Sequence, residues 1–159
     1  MKGSRVTVLV AGSLTVATAA WARATFLDIP VSEAKASAQS GNLLDVPFYM
    51  KGEPHPKVIR GISEIESNRR SNAFGKSDRD ACHVAFLSAI IALQQRAKAD
   101  GGNAIVDIRS ITRHNDLDSS SNYRCVAGAM VANVALTGRI VKIDTKPPAK
   151  TETKPTKKK

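Results

Sequence analysis

Aromatic side chains are scarce in this chain. Beyond Trp21 there are only Phe26, Phe48, Tyr49, Phe74, Phe86 and Tyr123, so a core must be built from Ala, Val, Ile and Leu. Cysteine occurs twice, at Cys82 and Cys125. The two do not form a Cys-x-x-Cys, which argues against thioredoxin-like redox chemistry. There is no Gly-x-Ser-x-Gly elbow, no internal repeat, and no apolar run of the roughly 20 residues that a bilayer-spanning helix needs. Nothing assembles a nucleophile, a base and an oxyanion hole, so the reading is of a protein that is not an enzyme and carries no cofactor or metal.

What is present begins with two distinctive ends. Lys2 and Arg5 precede an apolar run from Val6 to Ala20, and Ala22-Arg23-Ala24 follows with small residues flanking one position. This is the pattern of a secretory leader, with cleavage expected after Ala24 so that the mature chain starts at Thr25. The rival reading is a membrane anchor, for which the run is short. Cysteine is absent before Cys82, so a lipoprotein acceptor is missing. At the other end, residues 145–159 are mostly Lys, Pro and Thr and are expected to be disordered. The two ends hold most of the formal +10 charge. The basic character therefore belongs to the ends and gives no sign of a nucleic-acid-binding face. Two readings of the tail stand side by side: contact with an anionic envelope surface, and simple solubilisation.

Between the ends, residues 25–144 read as one small domain. A brief helix is expected from Pro30 or Val31 to about Ala38, then strands over 43–50 and 58–67. Polar residues 68–76 read as a connection, with Asn68–Asn72 a solvated basic loop. Ser77 suits a helix N-cap, with Asp80 three residues on as its capping-box partner. Cys82, Phe86, Ala89, Ile90, Leu93 and Ala97 share one face of the helix that follows. Gly101 is its left-handed stop. Strands are expected over 104–112 and, with a bulge or bend near Gly128 or Gly138, over 123–143. The fold class is α+β: one long helix on a mostly antiparallel sheet, in β-β-α-β-β order.

Several stretches invite chemical readings. Arg70–Ser77 ends in Gly-Lys-Ser like a phosphate-binding loop, but Arg70 stands where the first glycine belongs, so a turn plus an N-cap is the better account. His55, His83 and His114 are scattered. A site from His83, His114 and Asp116 or Asp118 is conceivable, and unrelated turn or surface histidines are the simpler reading. Asp116, Asp118, Ser120 and Asn122 alternate like a calcium loop but lack its central Gly and terminal Glu, so a polar turn is expected.

In an exported chain the two cysteines are expected to form a structural disulfide. Closing a loop of about 43 residues is worth roughly 4 kcal/mol in the chain-entropy model. A reactive or metal-binding thiol pair is the alternative.

The segments SNRRSNAFGKSDRDACHVAFLSAIIALQQRAKADGGNAIVDIRS and YRCVAGAMVANVALTGRIVK resemble a family of small exported bacterial proteins that often carry the label "excinuclease ATPase subunit". The label itself is unsupported, since no complete nucleotide-binding loop or zinc-binding cysteine cluster is present. More distantly, the order helix, Gly-Gly-Asn-Ala, strand, Cys, strand is similar to the Rcs stress-sensor lipoprotein and to the YbjQ-like heavy-metal-binding-domain family. The resemblance to the Rcs sensor implies a Cys82–Cys125 staple and a periplasmic or secreted location. The resemblance to the YbjQ-like family implies a homo-oligomer and transfers no metal ligands. Together these readings point to a non-catalytic envelope protein that binds a protein partner or an anionic envelope surface. An oligomer that binds a metal or small ligand is the alternative.

Overall fold

The computed structural model describes residues 24–112 and 115–145. Ala22, most of the leader, His114 and the basic tail lie outside the described residues. The elements are β1 (Ala24–Pro30), α1 (Val31–Ala36), a 3-10 turn (Ala38–Asn42), β2 (Phe48–Met50), β3 (Val58–Asn72), α2 (Asp78–Ala99), β4 (Ala104–Ser110), β5 (Asn122–Gly128) and β6 (Val131–Ile143). The class is α+β and dominated by strands: six strands curl into a half-barrel against one long helix.

The expected β-β-α-β-β order needs correction at four places. Ala24–Pro30 is a strand, so Ala24 and Thr25, expected to flank a cleavage site, open β1 and pair with Gly128 and Ala127. The strand expected over 43–50 shrinks to Phe48–Met50, because Gln94 takes the backbone groups of Leu44 and Val46 instead. β3 runs on through Asn68–Asn72, which pair with β6 and are not a loop. The stretch 123–143 is two strands, because the chain turns between Gly128 and Val131 and pairs Val126 with Asn133 and Ala127 with Ala132.

β6 organises the sheet. β3 pairs along its whole length on one edge, and β4 and β5 share the other. β1 extends β5 antiparallel, whereas β2 joins β4 in parallel, so the sheet is mixed. Opposite Gly138 of β6, β4 carries a bulge between Val106 and Arg109. A β-carbon at Gly138 would meet Ile108 at 3.0 Å and Ile105 at 3.2 Å, so glycine lets these strands approach without crowding.

α2 fills one face of the sheet. Ala81, Ala85, Ala89 and Ala97 let it lie close, while Phe86, Ile90 and Leu93 supply volume, and all are buried. Phe86 stacks on Tyr123 of β5 with ring centroids 4.0 Å apart and meets Phe48 edge-on at 6.4 Å. These few aromatics thus share one cluster rather than being spread out. Gly101, at φ 72°, ends the helix in the left-handed conformation as expected.

Candidate functional site

The disulfide sits where the helix meets the sheet. Alternation along β5 sends Tyr123, Cys125 and Ala127 towards α2. Cys82 lies on the first full turn of α2, facing the same core. The two sulfurs are bonded at 2.00 Å with the Cα atoms 5.9 Å apart, and both residues are fully buried. The bond crosslinks the N-terminal end of α2 to the middle of the sheet.

Ser77 caps α2 as expected: its Oγ accepts from the Asp80 amide at 3.1 Å and donates to the Asp80 carboxylate at 2.6 Å. Gly75, at φ 71°, makes the turn before it. The Gly-Lys-Ser segment thus leads from β3, which is antiparallel to β6, into a capped helix. His83, on the next turn, is buried near Glu33, with Nε2 3.9 Å from the carboxylate. Burial lowers its pKa below the usual histidine value, against the opposing pull of Asp80 and Glu33.

The face of the sheet away from α2 has a different character. Cross-strand register places Phe26 beside Val126, Val126 beside Asn133, and Asn133 beside Arg70, one row spanning β1, β5, β6 and β3. Val131 and Ala135 extend the row along β6. Ile111 reaches the same strand through its amide, which donates to the Ala135 carbonyl at 2.9 Å. These residues and Thr112 line a cleft of about 420 Å³. Phe26 and Val131 are 47% and 44% exposed, so apolar surface faces solvent here. Thr112 is only 5% exposed, and its hydroxyl has no hydrogen-bond partner among the described residues.

Charge on this face is mostly internally balanced. Arg124 grips Asp28 with two nitrogens at 2.7 Å. Arg139 holds Asp107, which stands at φ 56° in the β4 bulge, and the pair lines a second, more polar hollow of about 290 Å³ with Lys51, Glu64 and Arg109. Arg70, the one charged residue lining the larger cleft, makes no ion pair or side-chain hydrogen bond among the described residues. The side chains of Asn68 and Asn133 are bonded to each other at 2.6 Å.

The other expected groups do not converge. His55 lies against Tyr49, Asp118 pairs with Lys51, and Ser119 accepts from the amides of Ser121 and Asn122, which makes 115–122 a polar turn. Among the described residues no group of three or more His, Cys, Asp or Glu stands together, and no helix is long and apolar enough to cross a membrane.

Sequence reasoning missed Phe26, Val126, Val131 and Thr112 as lining residues. The available signal was the alternation of β5, in which Arg124, Val126 and Gly128 must face away from Cys125. No family model, curated protein or solved structure matches this chain.

Proposed function

We propose that this chain is an exported envelope protein that acts by binding rather than by catalysis, with the sheet face away from α2 as its binding surface. The observation that carries this reading is the buried Cys82–Cys125 bond, because such bonds persist in oxidising compartments and are rare where thiols are kept reduced. The leader-like N-terminus and the resemblance to small exported proteins support the same location. The basic tail suits an anionic envelope surface, to which its lysines would hold the domain by salt-sensitive attraction.

The test is the intact mass of the protein from a periplasmic fraction, before and after reduction and alkylation. A chain starting at Thr25 whose thiols react only after reduction is the expected result. Retention of Met1 with both thiols free overturns the reading. A small-ligand role, the alternative within the same compartment, is favoured by the cleft that contains Arg70 and Thr112.

A further inference from the structure

The cleft beside Arg70 carries a more specific assignment, which rests on the binding reading above for its biological setting but not for its chemistry. We propose that it binds a small organic carboxylate with an apolar body, with the carboxylate on Arg70 and the body over Phe26, Val126 and Val131.

Three observations converge. First, two other arginines on this face are neutralised, Arg124 by Asp28 and Arg139 by Asp107, while Arg109 lines the separate, smaller hollow. Among the described residues Arg70 has no acid partner, and it is the only charged one of them that lines the cleft. A guanidinium left open beside apolar surface is complementary to an anion, and its planar fork matches a carboxylate. Second, the walls are apolar on the β1, β5 and β6 side, and nearly half the surface of Phe26 and Val131 is left in water. Covering that area favours a ligand with a hydrocarbon or aryl body. Third, Thr112 lines the cleft, and its buried hydroxyl has no partner among the described residues. Leaving it unsatisfied costs about 1–3 kcal/mol, so a ligand oxygen that reached it would recover part of that cost. The volume of about 420 Å³ lies in the range of small-molecule sites. Asn68 and Asn133 satisfy each other and form a neutral rim beside Arg70.

The experiment is calorimetric titration of the full, oxidised chain with octanoate, and with octanol and octylamine as probes of the same body without the negative charge. Octanoate is expected to bind roughly tenfold or more tightly than octanol, with octylamine weakest. Arg70→Gln should remove the preference for octanoate and leave octanol binding unchanged. Phe26→Ser should weaken octanoate and octanol alike. Because Arg70 and Phe26 are exposed, both variants should keep the thermal midpoint of the parent, and Arg70→Lys should restore part of the preference.

Equal affinity for octanoate and octanol, an unchanged preference in Arg70→Gln, or no binding of any probe overturns the proposal. So does a stable dimer that Phe26→Ser dissociates, since a second copy would then cover the cleft. Failure of octanoate binding by a protein with an intact disulfide sinks the ligand assignment and leaves the envelope reading standing. Free thiols in the cell envelope fraction sink that reading and leave the cleft chemistry untouched.

Discussion

Asp28 and Arg124 face each other across β1 and β5, joined by two hydrogen bonds of 2.7 Å although they lie 96 positions apart in the chain. The pair pins the first strand to the sheet. The hydrogen bond from Arg124 holds the Asp28 carboxyl below its ordinary value of 3.8. A depressed carboxylate pKa contributes stability that is present above the ordinary value and lost as the pH falls through the lower folded value. Asp28→Asn should therefore cost about 1 kcal/mol at pH 7, and the difference from the parent should shrink steadily below about pH 4. Urea unfolding of both proteins from pH 7 to pH 2 reads this directly.

Reduction of the Cys82–Cys125 bond should lower stability by roughly 4 kcal/mol, since the bond spans 43 positions and its loss frees the unfolded chain. The double replacement Cys82→Ala, Cys125→Ala should behave like the reduced protein. A midpoint of chemical unfolding that is insensitive to reductant would contradict this.

Gln94 is a polar residue buried in the helix, and its amide makes three bonds: Oε1 accepts from the Leu44 amide, and Nε2 donates to the carbonyls of Leu44 and Val46. Gln94→Leu keeps the volume but abandons these backbone groups. The expected loss is about 1–3 kcal/mol. Amide hydrogen exchange should show residues 43–46 opening well before the sheet. Uniform exchange across the molecule would argue against a local tether.

Gly138 faces Ile108 and Ile105, whose side chains would crowd a β-carbon at 3.0 and 3.2 Å. Gly138→Ala should be destabilising by about 1–3 kcal/mol, the usual range for overpacking a filled core. Gly41, by contrast, has open space around it, and Gly41→Ala should be close to neutral. A thermal melt of the two variants side by side separates local crowding from the general effect of adding a methyl group.

α2 could be read from the sequence because its cap, its apolar stripe and its glycine stop all lie within one continuous segment. Ser77, Asp80 and Gly101 act as local chemistry dictates, with no help from distant residues. The strands were harder. Nothing local in Ala24–Pro30 announces a strand; it becomes one because β5 offers it an edge. Asn68–Asn72 look like a loop because their polar side chains give no core face, yet the ladder to β6 holds them extended. The cleft was illegible for the same reason. Phe26, Thr112, Val126, Val131 and Arg70 come from separate parts of the chain, and only the curl of the sheet brings them together.

β6 is the last of the described strands and also the one to which β3, β4 and β5 pair. A polypeptide delivered from its N-terminus can form the β1–β5 and β2–β4 pairs before β6 arrives, but only β6 joins them into one sheet. β3 waits with its amides open, and the two cysteines are both present before the whole sheet is there to align them. Any product truncated ahead of Val131 loses the keystone and keeps two separate pairs, β1 with β5 and β2 with β4, beside a β3 without its partner strand. The architecture makes one late strand the condition of a single continuous sheet.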